Sequence, residues 1–139
     1  MTDRPYSSLI ERLKEAGLRP TRQRLALAKL LFEKGDQHLT AEHLHNQAIA
    51  NNVRISLATV YNTLHQFTAA GLLREVVVEP GRSYFDTNVD DHHHFYCEDS
   101  GRLQDIPGEQ VKLSELPVPP EGREVARVDI MIRLRESKE

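Results

Sequence analysis

Three adjacent histidines, His92, His93 and His94, form the strongest chemical signal in the chain. Successive side chains of an extended segment point to opposite faces, so His92 and His94 share one face and His93 takes the other. Two imidazoles at that spacing can hold one metal ion, or one of them can act as an axial haem ligand. Phe95 and Tyr96 alongside offer flat apolar contact to a porphyrin. His38, in a polar connector just before a helix start, and Asp86, at the end of a strand-like run, are further donors near a domain boundary. A mixed imidazole and carboxylate site at such a junction couples ligand binding to domain orientation. His43, His45 and His65 read as ordinary surface or half-buried imidazoles.

A second stretch, residues 55–71, reads as a helix that presents side chains to a partner. Ser56 is a good N-cap, Gly71 suits a left-handed residue after the helix, and Ile55 with Val60 makes a hydrophobic staple. Leu57, Val60, Leu64 and Phe67 recur at helical spacing and form the stripe to be buried. The opposite face carries Ala58, Thr59, Tyr61, Asn62, His65 and Gln66, none formally charged at neutral pH. A solvated face usually bears Lys and Glu, whereas these groups can approach base edges and thymine methyls. Ser56, Thr59, Tyr61 and Asn62 are therefore the expected DNA contacts of this helix. Arg4, Arg12, Lys14, Arg19, Arg22 and Arg24 oppose only Asp3, Glu11 and Glu15 before residue 25, a balance suited to phosphates, with Arg19 and Arg22 as the named contacts.

Several elements must position these groups. Ser8 and Glu11 match a capping box for a first helix ending at Gly17, and Thr21 caps a second over 22–34. Asp36, Gln37 and His38 read as a connector, Thr40 caps a third helix reaching Ala50, and residues 51–54 turn into the 55–71 helix, a helix-turn-helix arrangement. Residues 72–78 and 83–87 then read as a hairpin about Glu79-Pro80-Gly81-Arg82, a wing with Arg82 at its tip in reach of the DNA backbone. A polar break at 88–91 separates two domains, 1–88 and 89–139. Beyond it come a strand at 92–97, a turn at 98–101, a strand at 102–106, a brief helix at 111–116 and an alternating strand over 126–134. Val128, Ile130, Ile132 and Leu134 make an apolar face too large for about fifty residues to bury, so a second copy is expected to cover it. The fold class is thus α+β, a winged helix-turn-helix domain followed by a small α/β dimerisation domain.

The 139 residues carry a net charge of −3, yet the halves differ: 11 Lys and Arg against 9 Asp and Glu through Asn88, then 7 against 12. The absence of a leader-like or membrane-spanning apolar run gives a cytoplasmic expectation with no membrane partner. The lone Cys97 fits a reducing compartment.

At Leu18-Arg19-Pro20-Thr21-Arg22-Gln23-Arg24, His38-Leu39-Thr40-Ala41-Glu42, Leu57-Ala58-Thr59-Val60-Tyr61 and His92 to Gly101 the chain resembles the ferric uptake regulator family, and the triple histidine is most like its haem-sensing iron response regulators. The resemblance implies a homodimeric regulator of iron or haem homeostasis that binds an inverted-repeat operator in double-stranded DNA and is not an enzyme. It maps a regulatory metal site onto His38, Asp86, His92 and His94, a weaker second site onto Asp91 and His93, and haem onto His92, His93 and His94. Haem, or divalent Fe, Mn or Zn, is the implied cofactor, with haem expected to weaken DNA binding. A divalent-metal-activated repressor of the ferric uptake, peroxide or zinc type is the alternative. Cys97-Glu98-Asp99-Ser100 stands where many relatives carry Cys-x-x-Cys, so no thiolate structural zinc site is expected. Asn62 follows the tyrosine where the family often has a basic residue. A metalloenzyme or a metal carrier are the rival classes, but no general base or substrate pocket stands out beside the histidines, and a carrier needs no capped helix bearing Tyr61.

Overall fold

The computed structural model describes residues 7–138 and divides into two compact units, Met1–Val89 and Asp90–Glu139. Arg4 and Asp3 lie outside the described residues.

The first unit contains α1 (Ser7–Glu15), α2 (Arg22–Phe32), β1 (His38–Leu39), α3 (Ala41–Ala50), α4 (Leu57–Ala69), β2 (Arg74–Glu79) and β3 (Arg82–Asp86). Ser8 lies inside α1, so the capping box read with Glu11 does not form: Leu9, buried together with Leu13, must already stand on regular helix. The other three caps form as their residue types dictate. Thr21 accepts from the Arg24 amide, Thr40 from His43 and Ser56 from Thr59. Between α3 and α4 the chain reverses at Asn52, whose φ of 61° only a short polar residue or glycine tolerates readily. There the Val53 amide reaches the Ala48 carbonyl at 2.8 Å and that of Asn52 reaches Ile49 at 3.0 Å, the paired bonds of a Schellman stop. Gly71 ends α4 the same way, with Leu72 bonded to Phe67 at 2.9 Å.

These turns fold the apolar stripes onto one core, in which Leu27 and Leu31 of α2, Leu44 of α3 and Val60, Leu64 and Phe67 of α4 are fully buried. A three-stranded antiparallel sheet, ordered β1-β3-β2, closes the unit. The hairpin β2–β3 is the expected wing. The third strand of the sheet, β1, takes His38 from the expected connector, where two residues carry no periodicity. Gln37 explains why a strand forms there: its side-chain amide donates to the Leu30 and Leu31 carbonyls at the end of α2, while its backbone amide donates to the Thr87 hydroxyl and its carbonyl accepts the Thr87 amide.

The second unit holds β4 (His92–Cys97), β5 (Leu103–Pro107), a 3-10 turn at Gly108–Gln110 and β6 (Met131–Leu134). β4 lies between an antiparallel β5 and a parallel β6. The helix expected at 111–116 does not form. Pro107 starts the tighter 3-10 turn instead, Val111 is already extended, and Pro117 disfavours helical backbone at Leu116. The final strand is also shorter than its alternation predicts. Its ladder begins where Ile130 accepts the His94 amide, and the parallel register sets His92 level with Asp129, so residues 126–128 precede the start of β4. Ile132 and Leu134 remain exposed. Among the described residues no helix is long and apolar enough to cross a membrane.

Candidate functional site

In the second unit the pleat does what period two requires. His92 and His94 are buried on one face of β4, at 5% and 3% exposure, with ring centroids 4.6 Å apart. Hairpin register sets His94 directly opposite Asp105. One carboxylate oxygen, Asp105 Oδ1, lies 3.1 Å from His92 Nε2 and 3.3 Å from His94 Nε2. Metal bonds of about 2.0–2.2 Å place neighbouring ligand atoms about 3.0–3.4 Å apart, and the observed separations fall in that range. His92 Nδ1 donates to the Asp90 carbonyl at 2.5 Å. A carbonyl only accepts, so Nδ1 carries a proton and Nε2 is the nitrogen left facing Asp105. That arrangement is attractive only with a proton or a cation between imidazole and carboxylate. An imidazole and carboxylate donor set fits Mn, Fe or Zn.

Asp105 was not singled out from the sequence. The signal was present: once Cys97 and Arg102 flank the 98–101 turn, counting outward sets residue 94 against residue 105. His93 points to the other face, where its Nδ1 accepts the Ile130 amide at 3.1 Å. Among the described residues Asp91 and His93 enter no group of three or more possible ligands. Cys97 is half-buried at the end of β4, and hydrogen bonds from Ser100 and the Asp99 amide hold its thiol below the usual range.

In the first unit the β1–β3 ladder pairs His38 with Asp86, and His38 Nε2 lies 3.2 Å from Asp86 Oδ2. Asp86 is fully buried, and its other oxygen accepts the Asn88 amide at 2.9 Å. This is a second imidazole–carboxylate pair at ligand-like spacing.

The same unit presents the exposed face of α4. Ala58, Tyr61, Asn62, His65 and Gln66 are exposed along it, while Ser56 and Thr59 spend their hydroxyls partly on the cap, 2.9 Å apart. The Tyr61 hydroxyl donates to Glu42 of α3 at 2.7 Å. Arg82 stands exposed at the wing turn. Of the basic cluster, Arg12 lies 4.0 Å over the Phe32 ring, and Arg24 donates to the Arg19 carbonyl and to Gln66. Those two guanidinium groups are engaged in packing, whereas Arg19 and Arg22 are exposed. Arg22 opens α2, whose first turn has no acidic residue. A cation there opposes the helix dipole, which makes an anionic partner the natural complement.

The sequence pattern of the ferric uptake regulator family matches residues 15–132. A ferric uptake regulation protein of Bordetella parapertussis is 39% identical over 110 residues, covering 74% of this chain and 78% of the relative. That of Klebsiella pneumoniae is 36% identical over 104 residues, covering 74% and 67%. Among solved structures, the ferric uptake regulator of Pseudomonas aeruginosa with manganese superposes with a TM-score of 0.71 at 26% identity, covering 92% of this chain and 97% of that one.

Proposed function

Because this chain belongs to the ferric uptake regulator family, whose members are metal-responsive transcription regulators, we propose that it is a homodimeric, cation-gated repressor binding an inverted-repeat operator. The observation that carries the reading is the pair of buried imidazoles of His92 and His94 meeting half-buried Asp105 at metal-ligand spacing, in a chain whose other unit bears a capped, uncharged helix face. His92, His94 and Asp105 would hold a divalent cation, with His38 and Asp86 as further proposed ligands. A bound cation would shift DNA binding only by its differential affinity for the binding and non-binding conformations. Residues 126–128, which precede the start of β4, and exposed Ile132 and Leu134 supply the surface for a second copy. Two recognition helices then demand half-sites about one helical turn apart.

Haem control is the finer alternative, supported by half-buried His93 and Phe95 side by side on β4. A bare cation fits better, since an axial ligand needs room for a porphyrin plane and His92 and His94 are buried against Asp105. The test selects duplexes from a random pool with the Mn²⁺-loaded protein, then follows their binding against Mn²⁺ and against hemin. Tightening by Mn²⁺ is expected. Binding that responds to hemin and ignores Mn²⁺ overturns cation gating, and failure to enrich any sequence overturns the regulator.

Two kinds of DNA contact separate in the same assay. Tyr61→Ala weakens binding to the selected duplex by about 1–3 kcal/mol, the range of one good base contact, and leaves random DNA nearly unchanged. Arg19→Ala and Arg22→Ala weaken all duplexes alike and each lower the salt slope by about one unit. A salt slope unmoved by both arginine variants removes them from the phosphate interface.

A further inference from the structure

The Tyr61 hydroxyl has one proton, and the structure shows where it goes. It is donated to Glu42 Oε1 at 2.7 Å, across the helix-turn-helix from α4 to α3. Both side chains are exposed, at the edge of a cleft of about 640 Å³ that also borders His65, Glu75 and Arg82. The His65 ring stacks on Tyr61 with centroids 6.4 Å apart and planes 21° apart, which restrains the phenol plane. A carboxylate on a surface that meets phosphates opposes binding by simple charge, so its value there lies elsewhere. We propose that Glu42 sets the hydrogen-bond polarity of Tyr61: with its proton held by Glu42, the phenol oxygen offers only lone pairs to DNA.

An acceptor-only group in the major groove selects the amino edges of adenine N6 and cytosine N4 and rejects guanine O6, thymine O4 and phosphate oxygens, all of which are acceptors. Glu42 is thus a positioning residue that converts an ambivalent hydroxyl into a reader of amino groups. The hydrogen bond also keeps each partner in the required state, holding the Glu42 carboxyl below its usual range and raising the Tyr61 phenol above its own. This inference rests on the DNA-reading role of α4 proposed above.

Glu42 has a competing structural role, because it occupies the first turn of α3, where a negative charge favours the helix dipole. Two variants separate the roles. Glu42→Asp keeps the charge on the first turn but is one methylene too short to reach the phenol. Glu42→Gln removes the charge and keeps an acceptor oxygen at the same reach.

The experiment is selection and sequencing from a random duplex pool with the full-length, Mn²⁺-loaded wild type, Tyr61→Phe, Glu42→Asp and Glu42→Gln proteins. Wild type should enrich one base pair by roughly tenfold at a position that Tyr61→Phe flattens, and should lose that preference when the amino group of the pair is removed by a base analogue. Glu42→Asp should flatten the same position, and Glu42→Gln should keep it to within about threefold. Retention of the preference by Glu42→Asp, its loss in Glu42→Gln alone, or a preference that survives replacing the adenine of that pair by purine or its cytosine by 2-pyrimidinone, which lack the amino group, overturns the assignment while the DNA-binding function stands. Enrichment of no sequence by the wild type overturns both.

Discussion

Replacing His92 and His94 together with alanine should abolish the response of DNA binding to Mn²⁺ and leave metal-free DNA binding unchanged. Both imidazoles sit on one face of β4, and together they supply two of the three donors brought together in the second unit. Loss of groups that merely orient a ligand costs about 10–100-fold in metal affinity, so loss of two direct ligands should exceed about 100-fold. Stability provides an independent readout. A cation at 100 times its Kd stabilises the folded protein by about 2.7 kcal/mol, and the double variant should forfeit that gain in a thermal melt with Mn²⁺. Metal-free DNA affinity should persist because α4 is backed by Val60, Leu64 and Phe67, all within the first unit. A double variant that still gains stability and DNA affinity on adding Mn²⁺ would place the sensor elsewhere.

Phe67→Ala should cost the first unit about 3–5 kcal/mol, the usual penalty for emptying a buried aromatic site. Phe67 is fully buried on the inner face of α4 and stacks on Phe32 of α2, with centroids 6.4 Å apart and planes 24° apart. The ring therefore ties α4 to α2, which carries Arg22 on its first turn. Since domains are stable by only about 5–15 kcal/mol, the variant should unfold at markedly lower urea with little change in slope. A loss below about 1 kcal/mol would mean that the α4 stripe does not anchor the fold.

Much of this chain is determined by local chemistry that can be read directly. Thr21, Thr40 and Ser56 cap their helices because a hydroxyl can take an otherwise unpaired amide, a condition met within three residues. The α4 stripe and its uncharged face follow from the 3.6-residue period, and the sharing of one face by His92 and His94 follows from period two. Failures occur where the deciding contact lies far along the chain. His38 joins a strand because Gln37 closes α2 and β3 passes alongside, some fifty residues later. Residues 111–116 satisfy a weak helical pattern, but a proline on either side confines the backbone more strongly. The last strand keeps its alternation in sequence but is shorter in structure: a ladder needs a partner, and with His92 level with Asp129, residues 126–128 lie before β4 begins.

The site divides along the same line. Residue type and spacing alone single out the histidines, Asp86 and the tyrosine on its helix. Tertiary structure decides which donors actually meet. Asp105 reaches both imidazoles because hairpin register sets it opposite His94, His38 reaches Asp86 through a two-residue strand, and Glu42 accepts the Tyr61 hydroxyl hydrogen bond across a turn that periodicity does not describe. Periodicity fixes the face on which a side chain lies, whereas the distance between two side chains on different elements is set by how those elements pack.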